Sequence, residues 1–251
     1  MTFQNYFDKQ FELRYFEMNH LGLATPTTIL ALLEETAADH CYDINHSLFD
    51  LVEKNIGWVL VSGALQMDRY PNYKEKITIK TWLSSYSTIK GYRENIIFDA
   101  NQNIIGRAKG LWVFFDIENR KPLPIFNEIK EKWSYYSEES IDVNIKKKIP
   151  AIEDPIYTKS FKVNRFDTDM NKHVNNIRYL QWVIESIPED IVNNYYLHKI
   201  DGRFLAEAQY EDKVVSLTNS NGDATSFVHT IKVKGNNKVC ATAKTFWKKN
   251  L

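Results

Sequence analysis

Residues 161–187, FKVNRFDTDMNKHVNNIRYLQWVIESI, crowd chemically capable side chains into one predicted strand-to-helix junction. Phe161, Val163 and Phe166 indicate a short strand with one buried face, and Asp-Thr-Asp then ends the alternation. A helix follows that Asn175 or Asn176 can cap and Pro188 stops. Its apolar stripe comprises Ile177, Leu180, Val183, Ile184 and Ile187. The polar side chains therefore lie at a helix N-terminus, whose free N–H groups and partial positive charge suit a carbonyl or an oxyanion.

The composition predicts a packed protein without a strong electrostatic bias. Of 251 residues, 43% are hydrophobic and 14% aromatic, enough for the core of one large domain or two small ones. The 32 basic and 32 acidic residues balance, so charge favours neither nucleic acid nor an anionic membrane as a partner. Cys41 and Cys240 form neither a disulfide framework nor a metal motif. With no signal-like N-terminus and no apolar run of membrane-helix length, we expect a cytoplasmic protein without integral membrane segments.

The first half of the chain predicts a strand, a long helix and then antiparallel strands. Residues 11–16 indicate the first strand, and Thr25-Pro26 supplies a helix cap followed by proline in the first turn. The apolar face of this helix comprises Ile29, Leu30, Leu33 and Ala37. Further strands are predicted over residues 58–67, 76–82, 91–98 and 104–116. The alternation in the second of these places Ile77, Ile79 and Thr81 on one side of the strand.

The same order of elements recurs, which indicates an internal duplication. At an offset of 150 (161 − 11), residues 11–36 align without gaps on residues 161–186, and near the two ends the offset has shrunk to 135 (247 − 112). Matched pairs include Phe11 with Phe161, Phe16 with Phe166, Leu30 with Leu180, Glu35 with Glu185, and Trp112 with Trp247. The polar group does not repeat, since Asp169, Asn171 and His173 face Asn19, Leu21 and Leu23. Only the second copy is therefore predicted to be catalytic.

The duplication predicts three regions. Residues 1–133 form an N-terminal domain with a degenerate site, residues 134–155 a linker, and residues 156–251 a C-terminal domain with the catalytic residues. The predicted linker contains the lysine run 146–148 and two prolines, a composition typical of a solvated connector.

The string DTDMNKHVNNIRYLQWVIESIP, residues 167–188, resembles the signature of acyl-acyl-carrier-protein (acyl-ACP) thioesterases. The resemblance covers nearly the whole chain through Trp58-Val59-Leu60, Asp68-Arg69-Tyr70-Pro71, Trp82, Trp112 and Ala206-Glu207-Ala208-Gln209. It implies an α+β fold, a tandem double hotdog in which two long helices are each wrapped by an antiparallel β-sheet. It also implies a hydrolase of fatty acid biosynthesis that converts fatty acyl-ACP to free fatty acid and carrier protein.

By the same resemblance, the catalytic residues are Asp169, Asn171, His173 and Glu207, with Glu207 on the strand after the helix. Glu207 would act as general base on water and His173 could share that role. Asn171 and backbone N–H groups near Val174 would stabilise the oxyanion, and Asp169 would orient His173 or Asn171. No metal or other cofactor is implied, because the carrier protein brings its own phosphopantetheine. Ala208 stands where plant members commonly have cysteine, which disfavours a cysteine acyl-enzyme and, without a transit-like segment, indicates the bacterial type.

Further residues are predicted to contact the acyl chain or the carrier protein. The resemblance implies that Ile29, Leu30 and Leu33 wall an acyl tunnel, with plain core packing as the alternative. Tyr179 and Trp182 either line this tunnel or pack against the sheet. An acidic carrier protein needs a basic docking surface. Candidates for that surface are Arg69, Lys74, Lys76, Lys90, Arg93, Arg107 and Lys109.

Three other functions compete with acyl-ACP hydrolysis. An acyl-CoA thioesterase would prefer the nucleotide-bearing substrate, and a hotdog dehydratase would release no free thiol. A non-catalytic fatty-acyl-binding module would be indifferent to Glu207→Ala and His173→Ala. The duplication already supplies a pair of hotdogs, so a monomer suffices, while a homodimer through the sheets stays open.

Overall fold

The computed structural model describes residues 6–170 and 173–250, and the chain divides into two compact units. The first unit contains residues 1–60 and 65–143, and the second contains residues 61–64 and 144–251. In each unit, helices lie against antiparallel strands. The predicted domain boundaries, residues 1–133, 134–155 and 156–251, stay predictions.

The first unit begins with a strand and a long helix, as the sequence predicts. Its elements are β1 (Phe7–Glu12), α1 (Pro26–Asp43), α2 (Leu48–Glu53), β2 (Ile56–Met67), β3 (Lys76–Tyr86), β4 (Lys90–Phe98), β5 (Ile104–Asp116), β6 (Lys121–Pro122) and α3 (Asn127–Lys132). Strands β1, β3, β4 and β5 pair antiparallel in that order. Ile77, Ile79 and Thr81 on β3 are all buried, which confirms the predicted inner face.

Helix α1 starts where the sequence predicts. The Thr25 hydroxyl accepts the Thr28 N–H, and Pro26 occupies the first helical position, where it has no hydrogen bond to lose. Ile29 and Leu33 are buried, whereas Leu30 and Ala37 are half-buried. The buried face of α1 also includes polar groups, Thr36 and His40 among them.

The second unit repeats this order. Its elements are β7 (Tyr157–Lys162), α4 (Asn176–Ile184), α5 (Glu189–Asn194), β8 (Tyr195–Phe204), β9 (Lys213–Ser220), β10 (Ser226–Val233) and β11 (Val239–Lys249). The strands pair antiparallel in the order β8, β11, β10, β9, β7. Glu35 and Glu185, matched by the duplication, make the same ion pair, with Lys9 at 3.0 Å and Lys159 at 2.8 Å.

Helix α4 is shorter than the sequence predicts. It has 9 residues against 18 in α1 and ends at Ile184, before Pro188. Pro188 disfavours helical backbone at Ile187, and it precedes the short helix α5. The buried face of α4 comprises Tyr179, Leu180, Trp182 and Val183.

The predicted strands over residues 11–16 and 161–166 extend too far. Phe16 and Phe166 lie in 3-10 turns, Tyr15–Glu17 and Arg165–Asp167, and are 98% and 91% exposed. In each turn an acidic side chain reaches back to a backbone N–H. Glu17 accepts from Arg14 at 2.6 Å and Asp167 from Asn164 at 2.7 Å. This local capping ends the strand, and it explains why an acid stands at both positions.

The segment 134–155 is packed rather than wholly solvated. Its four isoleucines are buried, while the lysine run 146–148 is exposed. In the first unit the Ser140 hydroxyl donates to Glu94, and in the second unit Arg203 donates to the carbonyl oxygens of Asn144 and Lys147. Among the described helices, none is long and apolar enough to cross a membrane.

Candidate active site

Before α4, residues 167–169 pair antiparallel with residues 173–175 and hold the backbone of His173. Thr168 and Val174 form a bridge in which the Asp169 N–H donates to the His173 carbonyl at 2.8 Å and the Asn175 N–H to Asp167 at 2.9 Å. Asp169 Oδ1 also accepts the His173 N–H at 3.3 Å. The Asn175 side chain then caps α4 by accepting the Ile177 N–H, as the sequence predicts. Asp169 therefore holds the backbone of His173, and Asn171 lies outside the described residues.

Glu207 lies in the loop after β8 and not, as predicted, on a strand. Strand β8 ends at Phe204, and the chain then turns beneath β11. The N–H groups of Leu205 and Ala206 both donate to the Cys240 carbonyl, at 2.8 and 3.2 Å. A second anchor closes the turn, since the Gln209 N–H donates to the Asp212 carboxylate at 2.9 Å.

Folding brings His173 and Glu207 together across 34 residues of sequence (207 − 173). His173 Nδ1 lies 3.4 Å from Glu207 Oε1. Their side chains are 22% and 35% exposed, so both reach solvent. A carboxylate beside an imidazole, both open to water, can accept a proton and return it.

The backbone N–H of Val174, the predicted oxyanion donor, belongs to the bridge before α4. Val174 is buried, and the register of its bridge directs this N–H away from Thr168. Among residues 6–170 and 173–250, none accepts a hydrogen bond from it. In the first unit the matched N–H, that of Ala24, donates to the Pro71 carbonyl at 2.8 Å. Among the described residues of the second copy, none fills the hydrogen bond that Ala24 makes in the degenerate copy.

Two contacts around Glu207 were not predicted from the sequence. The Tyr179 hydroxyl accepts the Ala208 N–H at 2.7 Å, and Lys238 Nζ donates to the Glu207 carbonyl at 2.6 Å. Burial raises the pKa of Tyr179, so this hydroxyl stays neutral. The one feature of the sequence that could have indicated this contact is Tyr179 itself, because a buried tyrosine hydroxyl generally has a hydrogen-bond partner. Lys238 carries no such signal, because its approach depends on the packing of the β10–β11 turn.

The aromatic residues of α4 belong to a packed cluster. Trp182 stacks on Phe161 with ring centroids 5.9 Å apart, and Tyr179 meets Trp182 and Phe204 edge-on at 5.4 and 6.2 Å. Both residues therefore pack within this cluster, one of the two predicted alternatives. The predicted acyl tunnel, with Ile29, Leu30 and Leu33, stays a prediction.

Both cysteines are free thiols that are buried in the fold. Cys240 is buried, and burial raises its pKa to about 11, which leaves a neutral thiol. Burial also raises the pKa of Cys41. Within the part of the chain that the structure describes, no group of three or more His, Cys, Asp or Glu side chains could hold a metal ion.

The predicted role in docking a carrier protein is wrong for two residues, Arg93 and Lys109. Arg93 and Lys109 are only 6% and 5% exposed. Arg93 donates to His40 and Thr81 inside the first unit. Lys109 pairs with Glu94 and Glu139. Neither side chain can contact a carrier protein without unfolding its surroundings.

The duplicated α+β fold, a long helix and an antiparallel set of strands in each unit, has the architecture of a double hotdog. Two family models match it, the acyl-ACP thioesterase N-terminal domain over residues 4–133 and the acyl-ACP thioesterase C-terminal domain over residues 152–249. The chain belongs to the acyl-ACP thioesterase family. The family and the hydrolase class predicted from the sequence are thereby confirmed.

Relatives and solved structures agree with this assignment. Oleoyl-acyl carrier protein thioesterase 1, chloroplastic, of Arabidopsis thaliana is 28% identical over 97% of this chain and 76% of its own length. Palmitoyl-acyl carrier protein thioesterase, chloroplastic, of Cuphea hookeriana is 23% identical over 96% of this chain and 62% of its own length. An acyl-ACP thioesterase from Bacteroides thetaiotaomicron matches with a TM-score of 0.86 and 21% identity, over 97% of this chain and 98% of that one. The 12:0-ACP thioesterase from Umbellularia californica matches with a TM-score of 0.87 and 18% identity, over 100% of both chains. These structures confirm the predicted double-hotdog fold.

Proposed function

We propose that this chain hydrolyses fatty acyl-ACP to free fatty acid and carrier protein, with Glu207 and His173 acting on the attacking water. The observation that carries the proposal is the 3.4 Å approach of His173 Nδ1 to Glu207 Oε1 in a chain of this family. Both groups come from loops at the ends of packed elements, which suits them to act on one bound substrate.

In the proposed reaction, one proton moves from the attacking water to the leaving thiolate. Water attacks the thioester carbonyl carbon while Glu207 removes its proton, and His173 can share that role. The carbonyl π electrons move onto oxygen and give a tetrahedral oxyanion. The oxyanion then collapses and the carbon–sulfur bond breaks. The leaving phosphopantetheine thiolate takes from Glu207 the proton that came from water.

The oxyanion needs donors that are already in place. We assign this role to the Val174 N–H, two residues before α4 and near the positive end of its helix dipole, and to the Asn171 side chain. Asp169 would position His173 through its backbone contact rather than attack the substrate.

The test is thiol release from a panel of acyl-ACP thioesters with wild type, Glu207→Gln and His173→Ala. The panel includes the 12:0, palmitoyl and oleoyl groups named for the relatives. We expect turnover that peaks at particular chain lengths and falls by ~100-fold or more in Glu207→Gln, since general-base catalysis contributes about 10²–10⁴-fold. Glu211→Gln is the matched control, because Glu211 lies in the same loop but pairs with Lys162 on the surface.

Other outcomes would select the competing functions. Hydrolysis of acyl-CoA in preference to acyl-ACP would make the chain an acyl-CoA thioesterase. Turnover that Glu207→Gln and His173→Ala both leave intact would remove these residues from the site. No thiol release from either substrate would leave a binding module. The cytoplasmic location and the oligomeric state stay predictions.

A further inference from the structure

We propose that Tyr179 and Lys238 are positioning residues that clamp the peptide unit following Glu207 and so fix the direction of its carboxylate. The inference rests on the proposed function, because it assigns these residues to the same reaction. Neither residue touches the substrate in this proposal. Both act through Glu207.

The two contacts close on one peptide unit. The Glu207 carbonyl and the Ala208 N–H are the two polar groups of the same planar amide. Lys238 Nζ donates to the carbonyl oxygen at 2.6 Å, and Tyr179 accepts the N–H at 2.7 Å. Holding both ends of the plane prevents it from rotating. The N–H groups of Leu205 and Ala206 anchor the chain on the other side of Glu207, so its side chain is held toward His173.

Tyr179 is a rigid anchor for this contact. Its side chain is 2% exposed and wedged between the rings of Trp182 and Phe204. Ala208 is fully buried, so its N–H cannot turn to water when the hydroxyl is removed. Loss of this acceptor forces the loop to move or to leave a buried donor unpaired.

The internal duplication shows that the fold does not need the clamp. Residues 70–75 adopt the same turn as residues 207–212: Lys74 and Glu211 both have positive φ, 66° and 74°. Lys74 and Glu211 also donate to matched residues, Leu13 and Val163. This places Tyr70 opposite Glu207 and Pro71 opposite Ala208.

Each part of the clamp is missing from the degenerate copy. Pro71 has no N–H to donate, and Ile29, matched to Tyr179 at the offset of 150, has no hydroxyl to accept one. Asn103, matched to Lys238 at the offset of 135, has a shorter side chain that bonds to Asp99 instead. The copy without catalytic residues folds the turn but lacks the clamp. The clamp is therefore needed for the geometry of the site and not for the folding of the turn.

The first experiment measures kcat and KM for acyl-ACP hydrolysis by Tyr179→Phe. We expect kcat to fall about 10- to 100-fold with KM unchanged, because a misplaced catalytic group slows chemistry without weakening binding. In the Glu207→Gln background the same change should have no further effect, since the two residues act as one unit. Ser186→Ala is the matched control. It removes a buried hydroxyl just after the same helix and should lower stability while leaving kcat unchanged.

The second experiment tests the partner atoms. Ala208→Pro removes the N–H, and Pro71 shows that this turn accommodates proline. We expect Tyr179→Phe to cause no further loss of kcat in the Ala208→Pro background. Lys238→Met, an exposed change that should not affect folding, is expected to lower kcat several-fold, and Lys238→Arg to restore it.

Amide hydrogen exchange separates failure of the clamp from failure of the proposed function. Without any substrate, the Ala208 amide should exchange at least about tenfold faster in Tyr179→Phe than in wild type. Unchanged exchange, unchanged kcat, or an equal loss of kcat in the Glu207→Gln background would each overturn the clamp. If wild type hydrolyses no thioester, the proposed function fails and the exchange result alone decides the clamp.

Discussion

At the scale of single residues, burial decides which histidines can change charge. His229 is fully buried, and its ring nitrogens bond to Thr218 and Thr245 at 2.9 Å each. Burial lowers its pKa to about 3, so it stays neutral. Burial, and secondly the charge of Arg93, lowers the pKa of His40 to about 3 as well.

This neutrality makes stability depend on pH. An unfolded histidine titrates near pH 6.5, so between pH 6.5 and 3 the unfolded chain binds more protons than the folded one. The contribution is fully present above pH 6.5 and is lost as the pH falls. Each such histidine should lower the free energy of unfolding by roughly 2 kcal/mol between pH 7.5 and pH 5.

His229→Asn tests this expectation, because Asn95 occupies the matched strand position in the first unit. The variant should lose less stability than wild type between the two pH values, by roughly 2 kcal/mol. Urea unfolding at pH 7.5 and pH 5 measures the difference, and carboxylate titration cancels because both proteins share it. Equal losses in the two proteins would show that His229 can take up a proton in the folded state.

At the scale of elements, the segments before α1 and α4 share one type of contact. In each, the side chain of a matched residue, Asn19 or Asp169, accepts a backbone N–H. Asn19 Oδ1 accepts the N–H groups of Leu21 and Leu23 at 2.9 and 3.1 Å, and Asp169 Oδ1 accepts that of His173. Asparagine and aspartate can both close such turns on their own backbone. The shared contact explains why a polar residue stands at this position in the copy without catalytic residues.

Substitution of Asn19 separates the turn from the chemistry. Asn19→Ala should lower the free energy of unfolding by about 1–2 kcal/mol, because two backbone donors lose their acceptor. Asn19→Asp should stay close to wild type, since its carboxylate keeps an acceptor in place. Differential scanning calorimetry tests both variants. A melting temperature lowered equally by Asp and Ala would show that the amide of Asn19 has a further partner.

At the scale of the whole molecule, the segment between the two copies contributes to packing. Ile145 is 2% exposed, and the carbonyl groups on either side of it, those of Asn144 and Lys147, accept hydrogen bonds from Arg203. Arg203 is in turn held by Asp201. The lysine run 146–148 and the two prolines of residues 134–155 predicted a solvated connector, whereas the four isoleucines of the segment are buried.

Ile145→Ala and Lys147→Ala distinguish these two descriptions of the segment. Ile145→Ala should cost about 2–5 kcal/mol of stability, the usual range for a buried isoleucine. Lys147→Ala should stay within about 0.5 kcal/mol of wild type, because its exposed side chain can be lost while its carbonyl still bonds to Arg203. Chemical unfolding of both variants gives the comparison. Equal, small changes in the free energy of unfolding for the two variants would instead support the predicted solvated linker.

The sequence alone determined the order of elements, their caps and the duplication. Thr25 and Asn175 cap the helices as predicted, and the alternation over residues 76–82 identified the buried face of β3. These features depend on neighbours within a few positions, so local periodicity and hydrogen-bonding capacity are enough to reveal them. The polar group at residues 167–176 and the family resemblance were visible for the same reason.

Only the tertiary structure decided how distant residues meet. It brought Glu207 to His173 from a loop rather than a strand, and it brought Lys238 and Tyr179 to the peptide that follows Glu207. It also buried Arg93, which the sequence offered as a docking residue. Such contacts depend on strand register and on how turns far apart in the chain pack together. No local pattern encodes that information, because the energy of each contact is realised only when the whole unit has folded.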